Sequence, residues 1–289
     1  ENVVLSHNGT FKRISDGEFR SSSENGQFNV KYDITSLTDE MRELKNLKLY
    51  NGNTLLYTLT EVAGSDMYVS NAGILALLDM RYHFKQEITI HFIDKNGEFM
   101  MSQTFRYASL FGFSPLGEKF VVGTDKSLNI LDLESRKIYS VNDCSKFSFS
   151  ADEHFLATAK EANVTVYKNY NPVASFNTGY VYPRGVAISN DNKEIYVIDK
   201  TRLSGFSIDQ EELLFIKNLP THCSYRDLRP GSQGQVMAGV HFRHDGLSKG
   251  ILNIYNQLGV LISTTEMASK NYPVFTESKN ENKSASKYE

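Results

Sequence analysis

The sequence predicts an all-β chain assembled from one repeated four-stranded unit, and three observations carry that expectation. The best-formed copy, FGFSPLGEKFVVGTDKSLNILDLESRKIYSV from Phe111 to Val141, reads as a short strand ending in Ser, a turn, a second strand and a strand-turn-strand hairpin. The same order returns at Tyr68–Phe105, Phe147–Phe176, Val186–Ile216 and Leu228–Thr264. The hairpin alone recurs seven times, as LSHNGTFKRI, LYNGNTLLYTL, FIDKNGEFMMS, LDLESRKIYSV, YKNYNPVASF, FSIDQEELLFI and IYNQLGVLIST. A four-stranded repeat of roughly 35 to 45 residues is the signature of a propeller blade. The expected fold is therefore a seven-bladed β-propeller of four-stranded antiparallel blades.

Taken in chain order, NVVLSHNGTFKRIS at the start reads as an outer hairpin with no inner strands before it. NYPVFTES, Asn271 to Ser278, reads as an inner strand with no hairpin after it. Joining Asn2–Ser15 and Tyr272–Ser278 in one sheet would close the ring and remove two free sheet edges that invite aggregation. Residues 279–289 read as a solvated tail or linker. Between Asp33 and Leu47 the pattern breaks: Thr38 as a helix N-cap, Asp39 and Glu40 in a first turn, and Met41, Leu44 and Leu47 at helical spacing predict a short helical insertion, with a degraded strand as the alternative. Each later inner strand ends in Ser70, Ser114, Ser150, Ser189 or, in the last copy, Arg229, ahead of a turn built from Pro, Gly, Asn or Asp.

Composition adds bounds. The 289 residues, 40% hydrophobic, are expected to form a single domain with a packed core. Sixteen Tyr and eighteen Phe with no Trp suit strands. A net charge of -3 with scattered Lys and Arg gives no basic stripe, so nucleic acid is not an expected partner. No apolar run reaches the length of a membrane-spanning helix. The first residue is Glu1, which fits either a processed chain or an excised one, and a secreted or periplasmic location is expected, with a cytoplasmic one as the alternative. Cys144 and Cys223 fall two blade junctions apart, so free thiols are expected rather than a disulfide.

The run FSPLGEKFVVGTDKSLNILDLESRK resembles the repeat of WD-repeat and YVTN-type propellers, in which a Ser-Pro-Asp-Gly-like turn precedes a strand and a Trp-Asp-like pair ends the third strand. Asp132 stands at that Asp and Leu131 at the Trp; Tyr50, Tyr167, Phe206 and Tyr255 fill the aromatic slot in other copies. The Gly-His pair and the Trp of true WD repeats are missing, so their side-chain network does not carry over. The resemblance implies a scaffold or binding module more than an enzyme.

Catalytic motifs are absent: there is no His-Glu-x-x-His, Cys-x-x-Cys, Gly-x-Ser-x-Gly or phosphate-binding Gly-rich loop. Asp94-Lys-Asn96-Gly-Glu98 and Ser189-Asn-Asp191-Asn-Lys-Glu194 look like fragments of calcium loops but fall where the repeat needs turns. Neither a cofactor nor a metal is expected. The cluster His241, Arg243, His244 and Asp245 lies in the longest insertion between a second and a third strand. It reads as a solvated polar loop, a partner-binding loop or, least of all, a metal site, since on an extended strand the two His would point to opposite sides.

Five residues before each strand-ending slot stand Ser65, Ser109, Ser145, Arg184, Ser224 and Asn271, which in this fold would crowd around a central channel. Small residues are expected there for packing alone. Arg106, Lys146, Tyr182, Tyr225, His222 and Arg226 stand close by in sequence, and Tyr82 is a further candidate for partner binding. Arg184, Arg226 and Lys146 are suited to receive a carboxylate through charge-assisted hydrogen bonds. The expected function is a non-enzymatic, monomeric binding module for a protein, a peptide or an anionic ligand on this loop face. The alternative is a lactonase-like hydrolase or lyase at the channel mouth, which would need convergent acids where only Asp66, Asp143 and Asp227 are available.

Overall fold

The computed structural model describes residues 4–6, 9–13, 18–36, 42–62, 64, 66–79, 87–179, 182–232, 234–244 and 247–267. They form β1 (Val4–Ser6), β2 (Gly9–Arg13), β3 (Glu18–Ser22), β4 (Phe28–Ser36), β5 (Arg42–Asn51) and β6 (Thr54–Val62) in a first sheet. The second sheet holds β7 (Asp66–Val69), β8 (Leu75–Asp79), β9 (Glu87–Ile93) and β10 (Phe99–Arg106). The third holds β11 (Leu110–Phe113), β12 (Lys119–Gly123), β13 (Ser127–Asp132) and β14 (Lys137–Asn142). The fourth holds β15 (Lys146–Phe149), β16 (Phe155–Lys160), β17 (Asn163–Lys168) and β18 (Asn171–Asn177), and the fifth β19 (Gly185–Ile188), β20 (Glu194–Ile198), β21 (Arg202–Ser207) and β22 (Glu212–Asn218). The sixth holds β23 (Cys223–Pro230), β24 (Val236–His244), β25 (Leu247–Tyr255) and β26 (Leu261–Met267). Sheets two to six each follow chain order through four antiparallel strands.

The described residues thus hold six blades where seven were expected. The first hairpin, β1–β2, does not start a blade of its own: β2 pairs with β3 through Lys12↔Arg20 and Arg13↔Phe19, making a six-stranded first sheet. The physical reason is proximity, because a strand just upstream in the chain covers the free edge of β3 at small loop-closure cost. The expected partner, Tyr272–Ser278, lies outside the described residues. The helical insertion is also overturned where it can be seen. Leu44 and Leu47 sit on β5, nearly or wholly buried, and pair with Val62 and Leu59 of β6. Burial across a sheet outweighs weak helical spacing here; Thr38 to Met41 lie outside the described residues.

Two compact units divide the chain, residues 1–125, 130–138 and 275–289 in one and 126–129 and 139–274 in the other. In the first unit, Val30 and Leu49 of the first sheet pack on Met67 and Leu75 of the second, and Ile90 and Phe92 of the second on Phe120 and Val122 of the third. In the second unit, Val186, Ile188, Ile195 and Val197 of the fifth sheet meet Ala157, Val164 and Phe176 of the fourth. The residues between them, Ala187, Tyr196 and Ile198, face Tyr225, Val236 and Ala238 of the sixth. Alternate residues of one strand therefore enter opposite cores, which is why IYVI reads as a continuous apolar run rather than an alternating one. Each such Val, Leu or Ile contributes about 1.5–3 kcal/mol by burial.

The strand-ending Ser is the blade's hinge pin. Ser114, Ser150 and Ser189 each donate their N–H to the carbonyl five residues on (Lys119, Phe155 and Glu194) at 2.9–3.0 Å, while their hydroxyls accept the N–H of the same residues. Ser23 does the same with Phe28 in the first sheet. In the sixth sheet the slot belongs to Gly231, whose N–H meets Gln235 O at 2.8 Å, and not to Arg229. The Asp94 and Asp191 segments are turns, as expected: Asp94 Oδ1 accepts the N–H groups of Asn96 and Glu98, and Gly97 has φ +85°.

The turns also tie neighbouring blades together. Asn71 Nδ2 donates to Pro115 O at 2.7 Å in the first unit, and Asn190 Nδ2 to Gly231 O at 2.8 Å in the second. Gly117, φ +82°, lies so close to the preceding turn that a Cβ there would stand 2.8 Å from Ala72 N.

Candidate functional site

The sequence's own alignment of lead-in residues is borne out in three blades. Ser109, Ser145 and Arg184 donate their N–H groups to carbonyls at the ends of the second strands, those of Gly123, Ala159 and Ile198, at 2.9, 2.9 and 2.7 Å. The sixth sheet departs from this pattern. Its first strand, β23, has eight residues where β11, β15 and β19 have four. Its register to β24 slips between Tyr225 and Asp227, leaving Arg226 as the extra residue of a β-bulge. The other pairings of a blade's first two strands, from β3–β4 to β19–β20, keep register.

The bulge has a chemical result. Tyr225 faces the core opposite Val240, while Ser224 pairs with His241 on the opposite face of the sheet. Arg226, the bulge residue, is exposed where Tyr225 is buried; bulges re-aim side chains in this way. His241 and Arg243, alternate residues of β24, share the face. Burial, followed by the charges of Arg226 and Arg243, holds the His241 imidazole below its ordinary 6.5. From the fifth sheet comes Arg184, whose Nη1 donates to Tyr225 O at 3.2 Å, the carbonyl of the peptide that leads to Arg226. Burial, then the charge of Arg226, lowers the Arg184 guanidinium's pKa, with Asp199 acting the other way. Asp199 is held by Arg202 at 3.0 Å. Arg226 thus acts on Arg184 on one side and, with Arg243, on His241 on the other, an arrangement suited to receiving an anion.

His222 stands beside this cluster. Its backbone is left-handed, φ +69°, and its carbonyl accepts the Arg243 N–H at 3.0 Å. Tyr182, two residues before Arg184, is 81% exposed.

Other expected site residues lie elsewhere. Tyr225 is fully buried, its hydroxyl 3.2 Å from that of Tyr255, so it is a core residue and not a surface anchor. Arg106 ends β10 in the first unit and is paired with Glu87 at 2.8 Å. Lys146 lies on β15 near Cys144, whose thiol burial and Asp143 push up to about 12. Both cysteines are free thiols. Tyr82 lies outside the described residues, as does the His244 side chain. The 241–250 segment is not a loop: β24 and β25 stay paired to His244↔Leu247, so only Asp245 and Gly246 separate them.

Ser23, Asn190 and the bulge went unread in the sequence. SSSENGQF carries the same Ser-to-Phe spacing of five as SADEHF, a signal that was available. The bulge's signal was the length between Cys223 and Gly231. Among the described residues, no three His, Cys, Asp or Glu side chains gather in a way that could hold a metal ion, and no helix is long and apolar enough to cross a membrane.

No family model matches the chain, and no curated protein matches its sequence. Among solved structures it is similar to hydrazine synthase of Kuenenia stuttgartiensis, at a TM-score of 0.51 and 15% identity over 70% of this chain and 64% of that one. It is also similar to Hsv2p of Kluyveromyces lactis, at a TM-score of 0.55 and 10% identity over 82% of this chain and 73% of that one. Both are β-propeller proteins, and at these identities the likeness is one of fold alone. The chain spans under two thirds, 64%, of the hydrazine synthase chain.

Proposed function

We propose that this β-propeller chain is a recognition module, binding a carboxylate-bearing ligand where the fifth and sixth sheets present Arg184, Arg226, His241 and Arg243. The observation that carries the reading is the bulge at Arg226. Five sheets keep the repeat's plain register between their first two strands, and the sheet that breaks it does so at the residue whose charge acts on both Arg184 and His241. Like charges held together by a fold repel in the free protein, and an anion relieves that repulsion while accepting bidentate hydrogen bonds.

The test is isothermal titration with citrate at low and physiological salt, on the parent and on Arg226→Ala and Arg243→Ala. Binding that weakens about tenfold or more in either variant, and weakens with salt, supports the reading. Citrate binding that neither substitution nor salt changes would move the site elsewhere.

A further inference from the structure

The outer strand of the fifth sheet carries opposite charges near its two ends and apolar side chains between them. β22 closes that sheet's strand order, so among the described residues its outer edge has no neighbouring strand. Leu213, Leu214 and Ile216 of this strand are exposed. The apolar surface continues beyond it. Gly259, in the turn between β25 and β26, lies against the Phe215 ring, where a Cβ would stand 2.5 Å from Cδ2. Leu258 and Val260 flank that glycine and are exposed as well, so they adjoin β22. Exposed apolar side chains gathered in this way mark an interaction surface.

The charges say what covers it. Glu212 is opposite Ser207 of β21 and Lys217 is opposite Leu203, and Leu203 and Ser207 are four apart on one strand, so Glu212 and Lys217 share a face of the sheet. In a regular strand, residues five apart lie on opposite faces. The register shift that makes Leu214 an extra residue brings the two charges to the same one. Leu213 and Ile216, opposite Phe206 and Ser204, share the other face. Asp209 and Glu211, both exposed, reinforce the acidic end.

We propose that β22 is the interface with a second copy of this chain, the two strands meeting antiparallel about a two-fold axis, in place of the monomer expected from sequence. That operation sets Glu212 of each copy against Lys217 of the other on one face, and Leu213 against Ile216 on the other. It also gives partners to backbone groups along a free edge. A partner of uniform charge is attracted at one end of β22 and repelled at the other. A reversed copy matches both ends.

Sedimentation velocity over protein concentrations from about 1 to 100 μM tests it, on the parent, Glu212→Lys, Lys217→Glu and the doubly substituted chain. The parent is expected to pass from monomer to dimer over that range. Each single reversal sets like charges opposite one another twice in the dimer, and is expected to weaken it about tenfold. The double reversal restores attraction and is expected to return the affinity to within about threefold of the parent's. Glu212 is exposed and Lys217 half-buried at the surface, so the variants are expected to fold; melting temperatures within about 3 °C of the parent's check this. A parent that stays monomeric at the highest concentration overturns the proposal and leaves the surface to a different partner. Dimers that neither single reversal weakens, or that the folded double variant fails to restore, place the contact elsewhere and overturn it too.

Discussion

The Arg184 guanidinium and the Tyr225 carbonyl, 3.2 Å apart, tie the fifth sheet's lead-in segment to the sixth sheet's first strand at the peptide just before the bulge. That contact fixes where Arg184 points, and it sets the charge against Arg226 instead of away from it. Part of the guanidinium is exposed, so its hydrogen bond adds modestly to stability. Arg184→Ala is expected to cost under about 1.5 kcal/mol in urea unfolding, yet to weaken citrate binding about tenfold. A loss of several kcal/mol without any change in citrate affinity would make the residue a structural tie only.

What could be read in advance followed from period. Four-stranded copies, Ser-led turns and Asx turns repeat because every blade has to solve the same backbone problem, and Ser114, Ser150 and Ser189 could be placed from sequence for that reason. The departures were harder, each for its own cause. Leu44 and Leu47 lie three apart, a spacing that fits a helix as readily as a strand whose register slips, as β5 does between its pairs with Lys31 and Asp33. The first hairpin looked like a blade because a hairpin's sequence does not say which edge it will cover. Arg184, Arg226, His241 and Arg243 are each candidates by residue type, but the place of Arg226 between Arg184 and His241 depends on one bulge, and a single extra residue has no compositional mark. Tyr225 was misplaced because a Tyr between Ser and Arg looks exposed, whereas strand alternation turns it inward.

A polar chain runs from the exposed outer strand of the sixth sheet into its core. Thr264 Oγ1 donates to Asn253 Oδ1 at 3.0 Å, Asn253 Nδ2 to the Tyr255 hydroxyl at 3.1 Å, and that hydroxyl lies 3.2 Å from the Tyr225 hydroxyl. Tyr225→Phe is expected to lose one hydrogen bond at a site where Tyr255 keeps Asn253, about 1 kcal/mol. Thr264→Val removes the donor to a buried amide oxygen, so it is expected to cost more, about 1–3 kcal/mol. Urea midpoints at unchanged slope would check the order; a Phe variant less stable than the Val variant would contradict it.

Glu194 carries a pH signature. Burial, and then the charge of Asp191 with which it shares a hydrogen bond, raises its carboxyl above the ordinary 4.5, although the Ser189 hydroxyl works in the other direction. A carboxyl raised by the fold contributes stability that is fully present below 4.5 and is lost as pH rises through the folded value. Glu194→Gln stays neutral throughout, so the variant should match the parent at low pH and melt higher at pH 7. The side chain is half-buried, so the gain is expected to stay under about 3 °C. A parent that melts higher than the variant at pH 7 would show that the ionised form is the stabilised one.

Gly205 is a packing requirement that a single methyl can test. A Cβ built there would stand 2.4 Å from Phe215 Cε1, and Phe215 is itself largely buried among Tyr196, Tyr225 and Tyr255. Gly205→Ala is therefore expected to destabilise the chain by about 1–3 kcal/mol through overpacking. Combining it with Phe215→Leu, which makes room, should recover part of that loss. Independent, additive losses from the two substitutions in a double-mutant cycle would mean that the ring is not what fills the space.

The final prediction concerns the pH dependence of the anion site. In the free protein, burial and the neighbouring charges of Arg226 and Arg243 keep His241 below 6.5, so at pH 7 it is neutral and the guanidiniums carry the site's charge. A bound carboxylate offsets those charges and favours the imidazolium, so binding takes up a proton as the pH falls toward and below that value. Citrate itself loses charge at lower pH, which works in the other direction; sulfate keeps its charge across the range and isolates the protein's contribution. Sulfate affinity is expected to rise about three- to tenfold between pH 7.5 and pH 5.5 in the parent. His241→Asn should bind sulfate with an affinity that stays flat over that interval. Equal slopes in parent and variant would place the titrating group at another residue, and a parent whose affinity falls with acid would mean that His241 lies too far from the bound anion to sense it.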